Sequence, residues 1–360
     1  MPLAPKPSMG KAAPAQVRQP ARRLLGGAVA AGVLASTGWL IAGVWGDVAA
    51  AGADAVRALW TVPAVVALHL VQLLLSALGW RVLFVQAPAG VGAFFRLRLM
   101  REGLNSLLPL AHVGGEVVAV QLMARRGIPV ALGAASVVVD VTVEICAQLA
   151  FLAAGCLALV WLSGVASAWL WAGSLGIAAL AAGSLLLAQR FQALRLLERA
   201  VEGVGRRWPA LAISSIEGLN ADALAIYRRL RRLAAAFLLQ GAAWALGTGE
   251  TWLVLHALGV DATPGQAFVV ESLGAAARSA GFAVPGALAI QEGGFVLAAA
   301  AIGLPGVPAL SLSLVKRVRE ALVGLAGVAC WRLALSVGAR RAHMDQTAEQ
   351  GSGSKHGRSR

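Results

Sequence analysis

The chain has 360 residues, of which 58% are hydrophobic and 13% charged, with a mean hydropathy of +0.73. A soluble domain carries about 25% charged residues, so an ordinary soluble enzyme or binding module is excluded. The formal net charge is +14, yet no aromatic residue interleaves with the N-terminal basic residues, which argues against nucleic acid as a partner.

In chain order, residues 1–23 form a basic tail with Lys6, Lys11, Arg18, Arg22 and Arg23, rich in Pro and expected to be disordered and cytoplasmic. Leu24–Gly46 is the first apolar run. It is longer than the apolar core of a signal peptide and further runs follow, so it reads as a retained anchor. Pro63–Val85, Val130–Leu162, Ala166–Ala188 and Leu233–Leu258 are also long enough for helices that cross hydrocarbon. Strands would appear as short alternating segments, so a membrane barrel is not expected. Residues 190–232 form the one sizeable loop, with Leu194, Leu197, Val201 and Val204 at helical spacing and arginines opposite. This loop is either a helix lying on the membrane surface or a solvated linker. Residues 342–360 form a second tail, expected to be disordered.

Two segments interrupt this pattern, near 94–125 and near 265–304. Each places proline, glycine and carboxylate in apolar surroundings, the first in LPLAHVGGE, Leu108–Glu116. Sliding the chain against itself by 176 residues aligns Pro109 with Pro285, Glu116 with Glu292 and Gly127 with Gly303. The same offset aligns Pro129 with Pro305 and Glu144 with Glu320. If neither Pro/Gly segment crosses completely, three spans separate the copies, and the second copy is inverted. The expected fold is therefore all-α and polytopic. It has about six full spans and two re-entrant helical segments in an inverted repeat, 24–162 and 163–341. Lys and Arg concentrate in alternate connections, Arg98 and Arg101 among them, which places both termini in the cytoplasm.

Ionisable residues within apolar segments are costly and usually face a bundle interior or a wet cavity. Asp140, Glu144 and Gln148 stripe one helical face. Lys316 and Glu320 occupy the equivalent positions of the second copy, which suggests opposing charges across a pseudo-two-fold axis. Three uses are open. The charges hold the halves together, or they line a polar cavity for a lipid headgroup in which Arg278, Lys316, Arg317 and Arg319 attract an anionic group, or the carboxylates form a proton relay. His112 reads as a packing residue. No metal-ligand spacing, cofactor motif, GxxxxGK[ST] loop or GxSxG elbow is present, so no cofactor, metal or catalytic role is expected.

The run REGLNSLLPLAHVGGEVVAVQLMARRG, followed by ASVVVDVTVE, resembles the first half of the lysylphosphatidylglycerol synthase transmembrane-region family. AVPGALAIQEGGFVLAAAAIGLP with SLVKRVRE resembles its second half. Within the family, EGLNSLLPLAHVGGE, VVVDVTVE and IQEGG are most similar to the hopanoid-biosynthesis-associated membrane proteins. The resemblance implies a flippase-like translocator in a bacterial inner membrane, handling a hopanoid or another polar or anionic lipid, with other lipid-biosynthesis membrane proteins as possible partners. The chain ends soon after its last span, so the soluble aminoacyl-transfer domain of full-length synthases is not expected. The expected pathway comprises Asn105, Pro109, His112, Gly114, Gly115 and Glu116 with Pro285, Gly286, Glu292, Gly293 and Gly294. Asp140, Glu144, Arg278, Lys316, Arg317, Arg319 and Glu320 supply the surrounding charge. The alternatives are a non-transporting accessory component of hopanoid or isoprenoid lipid synthesis and an intramembrane lipid-modifying enzyme.

Overall fold

The computed structural model describes residues 45–107, 114–163, 218–280 and 290–356. Contacts divide the chain into Met1–Ala49 and Ala50–Arg360, and the architecture below belongs to the second unit. Every described element is helical. They are α1 (Trp45–Arg57), a 3-10 turn at Leu59–Thr61, α2 (Val62–Val82), α3 (Val91–Leu107), α4 (Gly114–Ala124) and α5 (Val130–Ser163). The chain continues with α6 (Leu219–Tyr227), α7 (Leu230–Ala257), α8 (Pro264–Ala280), α9 (Ile290–Ala301) and α10 (Gly306–His356). The backbone of α10 thus extends into the tail 342–360 that composition alone left unstructured. The expected spans Leu24–Gly46 (but for its last two residues) and Ala166–Ala188 lie outside the described residues, as does the greater part of the loop 190–232.

Local sequence explains where the helices stop. At the end of α4, Gly127 has φ 81°, and at the end of α9, Gly303 has φ 75°. Ile128 N–H donates to Met123 O at 3.2 Å, and Leu304 N–H to Ala299 O at 2.9 Å. Both are Schellman closures, in which glycine takes the left-handed position at least cost. Pro129 and Pro305 come two residues later, and α5 and α10 begin directly after them. Gly114 and Ile290, the first residues of α4 and α9, are 176 apart, as are Val130 and Gly306, which open α5 and α10.

Packing is reciprocal between the two sets. α2 packs on α7, α3 on α10 and α8 on α5, while α3/α4 and α8/α9 each form a local pair. α2 and α7 run antiparallel. Gly79 lies against the Ala236 carbonyl, Ser76 Oγ donates to Gln240 Oε1 at 2.7 Å, and Gln72 Nε2 to Glu250 Oε1 at 2.5 Å. α3 and α10 cross where glycines allow it. A Cβ on Gly103 would lie 2.6 Å from Gly324 O and 2.9 Å from Gly327 Cα. α6, from the expected surface loop, is packed on α5 instead, with Leu219, Ala223 and Ile226 buried and Tyr227 Oη donating to Thr142 Oγ1 at 3.1 Å.

Two apolar clusters form the core. One gathers Trp80, Phe94, Leu97, Leu104, Met123 and Ala236, the other Val62, Val65, Val254, Leu255, Phe295 and Leu312. They take opposite ends of the α2/α7 pair, because residues near 80 and 236 belong to the first and residues near 65 and 254 to the second. The middle of both helices is polar: His69, Gln72 and Ser76 on α2, Gln240, Thr248, Glu250 and Thr251 on α7.

The exterior is apolar. Trp161 is 81% exposed and Leu297 72%, while Arg98, Arg101, Asp140, Glu250, Lys316 and Arg319 are buried. Water would favour the reverse distribution. Among the described residues, two helices, Leu59–Val82 and Val130–Ser163, are long and apolar enough to cross a membrane, and only 39% and 28% of their most apolar windows are buried. α7 covers the expected span Leu233–Leu258, but its polar inner residues dilute its apolar run.

Candidate functional site

Arg98 and Arg101 lie three residues apart on α3, so both reach across to α5 from one helical face. Arg98 Nη1 donates to Asp140 Oδ2 at 3.0 Å, and its Nη2 donates to Glu144. Arg101 Nη1 lies 2.6 Å from the same Asp140 oxygen, and Nη2 lies 3.3 Å from Glu116 Oε1 on α4. Asn105 ties α3 to α4. Its Nδ2 donates to Glu116 Oε1 at 3.0 Å, while its Oδ1 accepts the Gly115 N–H at 2.9 Å. A Cβ on Gly115 would lie 2.7 Å from Arg101 O, so the close approach of α4 requires glycine there. Gln240 Nε2 reaches Asp140 Oδ1 at 3.3 Å, and Arg101 lies over the Trp80 ring at 5.2 Å. Each buried charge thus has an opposite partner and further hydrogen bonds, the condition for tolerating it away from water.

A second cluster is built from α7, α8, α9 and α10. Arg319 donates to Glu250, and Lys316 Nζ lies 2.6 Å from Glu271 Oε2 and 3.6 Å from Glu250 Oε2. Thr251 donates to Glu271, and Gln72 to Glu250. Nearby, Arg278 Nη1 donates to Glu320 Oε1 at 2.8 Å and Arg317 Nε to Glu292 Oε1 at 2.9 Å. The clusters carry the same chemistry with the roles exchanged. In the first, the cations sit on α3 and the long helix α5 is acidic, whereas in the second the cations sit mainly on the long helix α10.

Between the clusters is a cavity of about 400 Å³ lined from both. Arg98, Arg101, Glu116 and Glu144 face it from one side, Glu271, Lys316, Arg319 and Arg278 from the other. Glu144 and Arg278 are the more exposed charges, at 28% and 33% of their side chains, whereas the side chains of Asp140, Glu250 and Lys316 are at most 2% exposed. Trp244 and Phe295 add aromatic wall.

The structure brings Asn105, Glu116, Glu144, Arg278, Lys316 and Arg319 to this cavity. Asp140 and Glu320 stand behind it as partners of lining charges, and Arg317 pairs in turn with Glu320. Glu292 binds Arg317, Gly294 packs closely on Ala277, Gly293 has open space around it and Gly114 is buried at the start of α4. Pro109, His112, Pro285 and Gly286 lie outside the described residues.

Arg98 and Arg101, counted among the basic residues of a connection, have buried side chains. Both are counter-ions of α5, Arg98 of Asp140 and Glu144 and Arg101 of Asp140, on a helix that also buries Phe94, Leu97 and Leu104 in the core. Asp140 and Lys316 pair with other residues rather than with each other. Each is neutralised within its own cluster, Asp140 by the two α3 arginines and Lys316 by Glu250 and Glu271. The face formed by Asp140, Glu144 and Gln148 is as the spacing predicts, and Gln148 continues it by donating to Ser279 on α8. His69, Gln72, Gln240, Trp244 and Gln291 also line the cavity and were not among the expected residues. The one available signal was the run of polar residues on the inner face of two otherwise apolar helices.

Residues 23–327, well over half of the chain, match the family model described as the lysylphosphatidylglycerol synthase TM region. No curated protein and no solved structure matches.

Proposed function

Because the chain belongs to the lysylphosphatidylglycerol synthase transmembrane-region family, a membrane protein tied to lipid metabolism, we propose that it moves a polar-headed lipid between leaflets. The observation that carries this reading is the polar cavity of about 400 Å³ set between two charged clusters inside an apolar-surfaced bundle. A headgroup enters such a space while the acyl or polycyclic part stays in hydrocarbon. The antiparallel packing of α2 on α7 and the exchange of partners between α3/α10 and α8/α5 support an inverted repeat. The pairs α3/α4 and α8/α9 are then the two re-entrant elements, and alternating exposure of the cavity follows from rocking one half against the other. The sequence carries no phosphate-binding loop, so uphill movement draws on an ion gradient or a partner. The EGLNSLLPLAHVGGE and IQEGG segments support a hopanoid or related lipid as cargo, in a bacterial inner membrane with cytoplasmic termini.

Purified protein in liposomes carrying a fluorescently tagged lipid tests this reading. Dithionite quenching of the inner-leaflet pool accelerates with the native chain and slows when Glu116→Gln and Glu292→Gln are introduced together. Unchanged exchange in a folded double variant sinks the site assignment. The complete pairing of the lining cations favours a second reading, an accessory scaffold without transport. That reading predicts a lost partner complex, and no change in the distribution of lipid between leaflets.

A further inference from the structure

We propose that the cavity receives an uncharged, hydroxyl-rich headgroup, a glycosyl or polyol group carried on a lipid. This inference rests on the translocation reading for its lipid and goes beyond it in naming the headgroup.

Charge argues first. Among the described residues, the five cations that line the cavity are already held by carboxylates: Arg98 by Asp140 and Glu144, Arg101 by Asp140 and Glu116, Arg278 by Glu320, Lys316 by Glu271, and Arg319 by Glu250. A phosphate must break one of these pairs and strand a buried carboxylate, which is strongly unfavourable. Among the described residues, Glu102 lines the cavity without a bonded cation and is the one group there that favours a cationic headgroup, so the trimethylammonium lipid is the decisive competitor in the test below.

Hydrogen bonding argues second. Buried polar groups are nearly always paired, but among the described residues three around this cavity keep an atom without a hydrogen bond: Arg101 Nε, Arg319 Nε and Gln291 Oε1. Gln291 is 2% exposed and Arg101 4%. The two Nε atoms need an acceptor and Gln291 Oε1 needs a donor. A hydroxyl group supplies both and carries no charge. Gln148 and Ser279 extend the uncharged polar surface to the mouth, and Trp244 offers a flat apolar face to ring carbons. The volume falls in the range of about 300–1,000 Å³ typical of small-ligand sites.

The test uses the full-length chain in nanodiscs and titrates three lipids with the same acyl chains. These are a monoglucosyl diacylglycerol, phosphatidic acid and a trimethylammonium lipid, with free methyl glucoside as a competitor. The glucosyl lipid is expected to bind about tenfold more tightly than either charged lipid, and Gln291→Leu to weaken it about tenfold by removing one buried acceptor. Gln148→Leu, at the more exposed rim where folding is less at stake, weakens the same lipid and leaves the charged lipids alone. Equal or tighter binding of either charged lipid overturns the proposal, as does native glucosyl affinity in both variants. Competition by methyl glucoside as strong as the lipid's own binding overturns the assignment to a lipid. If the glucosyl lipid binds as expected but does not cross the bilayer in the liposome assay, translocation fails and the headgroup assignment stands. Rapid exchange without headgroup preference gives the converse.

Discussion

Arg101 Nη1 lies 2.6 Å from Asp140 Oδ2, and that oxygen also accepts Arg98 Nη1 at 3.0 Å. One carboxylate oxygen therefore holds two guanidinium groups of α3 against α5.

Removing that carboxylate leaves two buried cations short of a partner. Asp140→Ala is expected to destabilise the protein by about 3–5 kcal/mol, read as an earlier thermal transition of tryptophan fluorescence in detergent. Adding Arg101→Met to Asp140→Leu removes charge from both sides and recovers part of the loss. A double variant no more stable than Asp140→Ala contradicts the pairing.

Among the described residues the two clusters share no ion-pair partner, so they are expected to behave independently. A thermodynamic cycle on Asp140→Asn and Lys316→Gln should close to within about 0.5 kcal/mol, the usual limit for separate sites. The cycle on Asp140→Asn and Arg98→Gln should not. Strong coupling between Asp140 and Lys316 would support the opposed-charge arrangement that the repeat positions suggest.

Adjacent glycines on α9 have different fates. A Cβ on Gly293 meets nothing within 4 Å, whereas one on Gly294 runs into Ala277 Cβ. Gly293→Ala is expected to stabilise α9 by up to about 1 kcal/mol through helix propensity. Gly294→Leu should cost about 1–3 kcal/mol or more by forcing α8 and α9 apart. Thermal denaturation of the two variants separates these outcomes, and equal shifts would refute the packing.

The closures at Gly127 and Gly303 carry a purely conformational requirement, because neither has an atom within 4 Å of an added Cβ. Alanine at either position should cost about 1–2 kcal/mol, the left-handed penalty. Asparagine, which tolerates that region, should cost less. Melting of the four single variants measures this, and a harmless alanine would show that the turn relaxes to another form.

How much of this was legible follows from what each signal depends on. The acidic face of α5 depends on spacing within one helix, so Asp140, Glu144 and Gln148 could be placed on it from sequence. The turns at Gly127 and Gly303 depend on local residues and were equally visible as matched positions. Partnership is different, because it depends on which helices meet. Glu250 and Arg319 belong to helices far apart in the chain, and nothing local joins them. The partners of Arg98 and Arg101 were hard to see because arginine beside an apolar run has the same composition in a loop as against a buried carboxylate. The three-residue spacing of the two arginines, which puts both on one face of α3, was the distinguishing signal. The repeat left partnership open in a further way. It matched Asp140 to Lys316 by position, but equivalent residues need not touch.

That mismatch in sign has a consequence for how the chain assembles. α9 and α10 retrace α4 and α5 at a fixed offset and with similar caps, so during synthesis a helix could dock in its counterpart's place. Charge discourages the error. α10 packs on α3 in the native fold, but if it took the place of α5 beside Arg98 and Arg101, Lys316 would face the two arginines where Asp140 belongs. Glu102 and Arg278, also 176 positions apart, differ in sign in the same way. The charge reversal gives each half an identity, so that helices of similar shape and oiliness sort to the correct neighbour as the bundle closes.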